Sequence, residues 1–313
     1  MQNSFKYSNT NKRYHTLDYY YKNRFHEKVF KVSLDAGFSC PNIDGTVGYN
    51  GCIYCSKLGS GEFAGNKQEP IEVQFNKVKE IMLKKWPNAK YIGYFQAHTN
   101  TYAKVEKLNE LYTKILNEPG VIGLNIATRP DAITEECLDY LTELNKKTYL
   151  TIELGLQTTN EKTSKLINRC HTLTCFEEMV NKLRERNIDV VVHIINGLPY
   201  ETKEDMINTA KYLNSLDIQG IKIHMLSILK DTPLEKLYKK EKFHILTKEE
   251  YIDIVCDQLE YLREDIVINR ITGDPIKELL IEPQWLLKKV CLLNDIDKEL
   301  LKRDSFQGKR LHS

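Results

Sequence analysis

Short runs of β-branched, aliphatic and aromatic residues alternate with helical patterns between about residues 29 and 229. The strand-like runs are residues 29–34, 91–95, 121–127, 149–155, 190–195 and 221–226. Between them, apolar residues recur at helical spacing, as in the stripe Val105, Leu108, Leu111, Tyr112, Ile115 and Leu116. This repeat predicts βα units, a parallel sheet and right-handed crossovers. Six such units predict an α/β fold that is either a doubly wound sheet or an incomplete barrel.

The two flanks of this region have different patterns. Residues 1–28 are polar and rich in tyrosine, and we expect them to form an ordered N-terminal basic, aromatic segment. Residues 234–313 show mainly helical periodicity, with helices predicted around Ile252 to Leu262, at 284–293 and at 295–302. We therefore divide the chain into this N-terminal segment (1–28), an α/β core (29–233) and a helical C-terminal extension (234–313).

Composition narrows the class of protein. The chain has 313 residues, of which 41% are hydrophobic, enough for one large core. Its start has no apolar signal region, and its longest aliphatic stretch, residues 190–195, is far shorter than the ~20 residues that a spanning helix needs. We predict a cytoplasmic protein with no membrane partner. Thiols stay reduced there, so clustered cysteines among the eight indicate a metal centre or catalysis.

Three cysteines form such a cluster directly after the first predicted strand. Cys40, Cys52 and Cys55 have the spacing C-x11-C-x2-C within a glycine-rich loop. Loops that leave the carboxyl ends of parallel strands are the usual place for functional sites. Structural zinc normally takes four ligands, whereas three cysteines on a [4Fe–4S] cluster leave one iron open. From the residues alone, both an iron–sulfur centre and zinc remain possible.

The cysteine run resembles the cluster loop of the radical S-adenosylmethionine (SAM) enzymes, whose motif ends in Cys-x-aromatic-Cys. Tyr54 fills the aromatic place, and the long first gap is similar to the branch that contains the Elongator catalytic subunit. Residues 29–38 (VFKVSLDAGF), 94–102 (YFQAHTNTY) and 270–274 (RITGD) resemble a bacterial radical SAM family. The resemblance implies a partial (β/α)6 TIM-like radical SAM barrel.

It also implies a mechanism. Cys40, Cys52 and Cys55 would ligate three irons of a [4Fe–4S] cluster, and SAM would chelate the fourth. One electron from an external reductant, of the flavodoxin or ferredoxin type, would cleave SAM to a 5′-deoxyadenosyl radical that abstracts hydrogen from an unactivated carbon. The cofactors would carry this chemistry, while the protein orients them.

Under this resemblance, SAM contacts are expected where strands end. Six residues are assigned to them: Tyr54, Gln96, Asn100, Glu153, Gln157 and Gly197. Gln96 and Asn100 follow the second strand, where the superfamily usually has a Gly-Gly-Glu-like turn. Glu153 and Gln157 belong to the end of the fourth strand and would bind ribose hydroxyls or the methionine moiety. Gly197 begins a run similar to the family's adenine loop. No separate catalytic residue is assigned.

Other polar residues have both a functional and a structural interpretation. His98, Arg129, Arg169 and Arg270 lie near predicted turns and could face the site or simply stabilise those turns. His193 and His224 lie inside strands, where a hydrogen-bonded structural histidine is the default. Cys170 and Cys175 could form a second redox or metal pair or be ordinary thiols.

Charge is unevenly distributed, although the whole chain carries only +2. Residues 1–31 hold seven lysines and arginines against two acids, a local +5, which leaves −3 for the other residues. Basic residues interleaved with tyrosines can contact phosphates and stack on bases. The alternative is a segment whose tyrosines pack on the barrel.

The resemblance favours tRNA as a partner, because the Elongator catalytic subunit modifies the C5 substituent of wobble uridine. Its bacterial relatives include enzymes that convert 5-carboxymethylaminomethyluridine to 5-aminomethyluridine, and that is the reaction expected here. Two alternatives stay open at this stage. One is a radical SAM enzyme acting on a small metabolite, and the other is a non-catalytic zinc-binding RNA-interaction protein.

Overall fold

The six predicted strands are all present, and each boundary lies within two residues of its prediction. The computed structural model describes residues 5–59, 61 and 63–311. Its strands are β1 (Val29–Leu34), β2 (Lys90–Phe95), β3 (Val121–Thr128), β4 (Tyr149–Gln157), β5 (Asp189–Asn196), β6 (Gly220–Met225), β7 (Ile228–Leu229), β8 (Val267–Arg270) and β9 (Leu280–Glu282).

The main sheet is an open, curled half-barrel. Its strand order is β1-β2-β3-β4-β5-β6-β8, and every neighbouring pair is parallel. Strand β8 comes from the region in which helices were expected. Its four residues are too few to show an alternating pattern in the sequence, and pairing with the edge of β6 fixes them as a strand. Strands β7 and β9 form a separate antiparallel ribbon.

Helices between successive strands cover the outer face of the sheet, and further helices flank it. They are α1 (Leu17–Phe25), α2 (Ile71–Lys85), α3 (Val105–Leu116), α4 (Glu135–Asn145), α5 (Glu161–Leu166), α6 (Leu173–Glu185), α7 (Lys203–Leu213), α8 (Pro233–Lys240), α9 (Lys248–Tyr261) and α10 (Lys289–Lys302). Residues Gln284–Lys288 form a 3-10 turn, so α10 begins later than predicted and continues without the predicted break at residue 294. None of the helices in the described ranges has the length and apolar character that a bilayer crossing requires.

Alternation along the strands separates the hydrophobic core from the barrel interior. In β4, Leu150, Ile152 and Leu154 are buried in the core cluster, whereas Glu153 lines the interior cavity. In β6, Ile221 and Ile223 belong to the core, whereas Lys222 and His224 line the cavity. Successive side chains of a strand point to opposite faces, so one face packs against helices while the other presents polar groups.

Helix α1 closes the open side of the half-barrel. It contacts both edge strands, β1 and β8. The residues before it continue the closure, because the Ile268 N–H donates to the His15 carbonyl at 2.7 Å. Tyr21 of α1 is only 4% exposed and packs on Val29 and Ile92, at the amino ends of the strands.

Candidate active site

A cavity of about 490 Å³ occupies the barrel interior. Residues that follow β1, β2, β3, β4, β6 and β8 line it, so it lies toward the carboxyl ends of the strands. Such a volume is in the range of pockets that hold cofactors and small ligands. The fold therefore places a site at the end of the sheet where parallel α/β proteins usually have one.

The three clustered cysteines line this cavity on one side. Cys40, Cys52 and Cys55 are free thiols, and each is partly exposed to the cavity or to solvent. The Cys55 N–H donates to the Cys52 carbonyl at 3.0 Å, which forms a tight turn around Tyr54. Gly51, directly before this turn, has φ +71°, a left-handed conformation that glycine adopts without strain.

Two asparagines fix the cysteine loop to the segment after α5. The Asn168 side chain donates to the carbonyls of Tyr49 and Gly51, at 3.0 and 2.7 Å. In return, Asn42 Nδ2 donates to the Asn168 carbonyl at 2.6 Å and lies 3.6 Å from Cys52 Sγ. The thiols are thus held in place by a distant part of the chain that sequence spacing did not indicate.

The donor set fits a four-iron cluster. Among the residues that the structure describes, no three His, Cys, Asp or Glu side chains converge closely enough to hold a single metal ion. A cluster instead needs separate thiolates around a common space, and the shared cavity provides this arrangement. Burial raises the pKa of the Cys52 thiol, and the positive charge of Arg129 opposes that effect.

Four of the six residues predicted to contact SAM line the cavity. They are Tyr54, Gln96, Glu153 and Gln157. Asn100 is fully buried instead, and its side chain donates to the Ala127 carbonyl at 2.8 Å. Gly197 has φ +80° and lies against the Met225 side chain. Neither Asn100 nor Gly197 is among the described residues that line the cavity, and the SAM contacts of all six stay predictions.

Glu153 is the centre of a buried ion-pair network on the wall of the cavity. Its carboxylate pairs with Lys222 and accepts from Lys31 Nζ at 3.1 Å. His193 Nε2 lies 2.9 Å from the same carboxylate, and Asn125 Nδ2 donates to it at 2.8 Å. Glu153 also lines the cavity, so its predicted contact with SAM stays a prediction beside these four side-chain partners.

Burial and neighbouring charge set the protonation states in this network. Burial would raise the pKa of Glu153, but the positive charges of Lys222 and Lys31 outweigh it and hold that pKa well below its usual range. Burial and the positive charge of nearby Lys222 together lower the pKa of His193 to about 4, although Glu153 opposes them. The network therefore contains an ionised carboxylate and a neutral imidazole at neutral pH.

Comparison with known protein families identifies the family to which the chain belongs. The family model "Radical SAM superfamily" matches residues 46–213, and "Radical_SAM C-terminal domain" matches residues 218–302. The chain belongs to the radical SAM superfamily. This superfamily uses a [4Fe–4S] cluster and SAM, and these are the cofactors of this radical SAM enzyme.

The enzyme is also similar to individual proteins, in sequence or in structure. The Bacillus subtilis protein YtqA is 52% identical over 310 residues, which cover 99% of this chain and 96% of YtqA. The solved structure of the archaeal Methanocaldococcus infernus Elp3, with an N-terminal deletion, has a TM-score of 0.67 at 16% identity. The match covers 90% of this chain but 64% of that one. The tRNA-2-methylthio-N(6)-dimethylallyladenosine synthase of Thermotoga petrophila is 24% identical over 61% of this chain and 43% of its own length.

Two arginines of the radical SAM core have structural partners. Arg129 forms a forked pair with Asp131, at 2.8 and 2.6 Å, and also lines the cavity. Arg169 is 3% exposed and donates to the carbonyls of Leu156, Thr158 and His171, at distances between 2.6 and 3.2 Å. Arg169 therefore joins the end of β4 to the segment before α6.

Helix α1 of the N-terminal segment packs at the amino ends of the strands, at the other end of the barrel from the cysteines. Lys6, Lys12 and Arg13 pair with Glu264, Asp297 and Asp304 of the C-terminal region. Lys22 and Lys28 both pair with Asp18. Three acids that are distant in sequence thus pair with part of the local excess of positive charge, which favours the packing interpretation over an RNA-binding surface.

The sequence missed the polar residues of the inner wall. Lys222, His193 and His224 line the cavity, although histidines inside strands were interpreted as structural and Lys222 was not considered. A signal did exist, since each interrupts an aliphatic strand at the position that faces away from the helices. In a barrel, that position points into the site.

Proposed function

We propose that this radical SAM enzyme modifies tRNA, converting 5-carboxymethylaminomethyluridine at the wobble position to 5-aminomethyluridine. The cavity of the barrel carries the proposal, because it joins the three thiols to a polar barrel wall in one space. A target inside a barrel must be turned out of its stack, and an unpaired anticodon base allows this at low cost. The similarity to a tRNA-modifying synthase supports the same substrate class.

The three cysteines would hold the cluster, and Gln96, Gln157 and Tyr54 would surround SAM beside it. When bound, the cluster and SAM supply one-electron cleavage that removes a hydrogen atom from carbon. The methylene between the nitrogen and the carboxylate of the substrate is the favoured position, since both neighbours stabilise the carbon left behind. Loss of a second electron and addition of water then split the C–N bond, giving the amine and glyoxylate.

The reaction balances without a further oxidant. One substrate residue, one SAM and one water give 5-aminomethyluridine, glyoxylate, methionine, 5′-deoxyadenosine and one proton. The substrate loses two electrons and the sulfonium gains two. The external reductant of flavodoxin or ferredoxin type therefore starts the reaction and recovers its electron at the end.

Anaerobic assay of the reconstituted enzyme tests the proposal. An anticodon stem-loop RNA with 5-carboxymethylaminomethyluridine should yield 5-aminomethyluridine, glyoxylate and 5′-deoxyadenosine in equal amounts. Cys55→Ser should yield none, whereas Cys170→Ser, outside the cavity lining, should retain activity. SAM cleavage that leaves the RNA unchanged would contradict the proposal. Stimulation of SAM cleavage by a free amino acid, with no RNA product, would support the small-metabolite alternative.

A further inference from the structure

The inner wall of the barrel contains more positive than negative charge. Glu153 neutralises at most one of its two lysine partners, Lys31 and Lys222. Arg270, at the end of β8, pairs with Asp274 at 3.4 Å, and Asp274 is also shared with Lys289. Among the described residues that line the cavity, the basic side chains Arg129, Arg169, Lys222 and Arg270 outnumber the carboxylates Glu153 and Asp274. Unbalanced charge of one sign is costly where water is scarce, and a bound anion would relieve it.

Arg270 belongs to the same electrostatic unit as the Glu153 network. Burial lowers the pKa of Lys222, and the charges of Lys31 and Arg270 add to that effect while Glu153 opposes it. The side chain of Arg270 is 35% exposed and lines the cavity together with Lys222 and Tyr94. Lys222 Nζ also donates to the Tyr94 hydroxyl at 2.9 Å.

His224 supplies a second observation that indicates a ligand. Its side chain belongs to the cavity wall. Its Nε2 is buried and forms no hydrogen bond within the described residues. The ring lies 5.3 Å from that of His193. Burial lowers the pKa of His224 well below its usual range, so the ring is neutral and carries one N–H. A buried polar atom without a partner usually acquires one when a ligand binds.

We propose that Arg270, His224 and Lys222 form a subsite for the carboxylate of the substrate, and that this subsite selects carboxymethyl over neutral substituents. The inference rests on the proposed function and names the group that positions its substrate. The three subsite residues belong to β6 and β8, at the opposite end of the sheet order from the cysteine loop after β1. Arg129 also lines the cavity but follows β3, and its guanidinium already pairs with Asp131. SAM also has a carboxylate, so the test must separate the two sources.

Equilibrium binding to the full-length, cluster-loaded, SAM-bound and unreduced enzyme provides that test. The probes are two fluorescent anticodon stem-loop RNAs, one with the carboxymethylaminomethyl group and one with the corresponding carboxamide. The wild-type enzyme should bind the acid roughly 30-fold more tightly, as expected for a partly desolvated charge pair. Arg270→Gln should weaken binding of the acid alone and reduce this preference to below about 3-fold.

Two variants serve as controls. Lys289→Gln removes a cation that shares Asp274 but does not belong to the described cavity lining, and it should keep a preference above about 10-fold. Arg270→Lys retains the charge and should keep part of the preference, which excludes misfolding as the cause of the Gln result.

The outcomes distinguish the inference from the function. Equal wild-type binding of acid and amide, with the acid still converted, would overturn the subsite alone. Failure to bind or convert either RNA would overturn both. SAM affinity, measured without RNA, should be the same in wild type and Arg270→Gln within about 3-fold. A 30-fold loss of SAM affinity would assign the carboxylate to SAM and overturn the inference.

Discussion

The carboxylate of Glu153 and the ammonium group of Lys222 form a buried ion pair across the barrel interior. The two residues belong to β4 and β6, which are separated in the sheet by β5. Both side chains point away from the helices, so the curvature of the sheet brings them together over the intervening strand. The wall of the site is therefore part of what holds the half-barrel in its curved form.

Replacing Glu153 by Gln should destabilise the fold strongly. The substitution leaves Lys31 and Lys222 buried without their carboxylate, which typically costs about 3–5 kcal/mol. Anaerobic urea unfolding measures the free energy of unfolding. Lys31→Met is the matched control, because Glu153 keeps Lys222, His193 and Asn125, and it should cost roughly half as much or less. Equal costs for the two variants would mean that the network is not organised around Glu153.

Single cysteine substitutions should separate the cluster ligands from the other thiols. Cys40→Ser, Cys52→Ser and Cys55→Ser should each lose most of the about four irons that a [4Fe–4S] cluster contributes per chain. Cys170→Ser and Cys175→Ser should retain them, because neither thiol is among the described residues that line the cavity. Iron content and visible absorption after anaerobic reconstitution give the result. Iron loss in the Cys170 variant would require a different ligand set.

Arg169→Lys should destabilise the protein despite preserving the charge. A lysine ammonium cannot reach the three carbonyls that the guanidinium holds, and each buried carbonyl left unpaired costs about 1–3 kcal/mol. We expect a total loss of roughly 2–4 kcal/mol in urea unfolding, since water will satisfy some of these groups. Arg186→Lys, where the side chain donates to the Lys182 carbonyl near the end of α6, should change stability by less than about 0.5 kcal/mol.

Tyr21→Ala should weaken the closure of the barrel. The ring is buried against the amino ends of β1 and β2, and removing a large buried aromatic side chain costs about 3 kcal/mol or more. Tyr200 is 56% exposed, so Tyr200→Ala should cost less than about 1 kcal/mol. Thermal or urea unfolding compares the two. A small effect at Tyr21 would show that α1 is not needed to close the sheet.

Glu201 should make stability fall as pH rises. Burial raises its pKa to about 7, although the Thr158 hydroxyl donates to it. The folded protein therefore binds this proton more tightly than the unfolded chain does, and ionisation of Glu201 costs stability as pH rises from about 4.5 through 7.

Glu201→Gln removes this cost. Its stability relative to wild type should increase by at most on the order of 3 kcal/mol between pH 5 and pH 8. Urea unfolding at the two pH values measures the difference. A difference that does not change with pH would show that Glu201 titrates normally in the folded state.

Sequence patterns predicted the parts of this molecule that depend on local order. The six long strands follow from β-branched runs, and the cysteine trio follows from spacing within one loop. The Glu153–Lys222 pair could not be predicted from the sequence, because it depends on how far the sheet curves. No local pattern encodes that curvature. Strand β8 was missed because four residues carry too little pattern. The charge of residues 1–31 left two interpretations open, because partners such as Glu264 and Asp297 are distant in sequence.

The closure of the half-barrel has a consequence for synthesis of the chain. The His15 N–H donates to Gln307 Oε1, 292 positions further along, and the Gln307 N–H donates to the Arg13 carbonyl. On a ribosome, residues 13–16 therefore emerge long before the residues that cover them. Translation proceeds at roughly 5–20 residues per second, so residues 13–16 lack their partners in β8 and at Gln307 for many seconds. During that interval the backbone groups of these residues can pair with other chains, as an open sheet edge does.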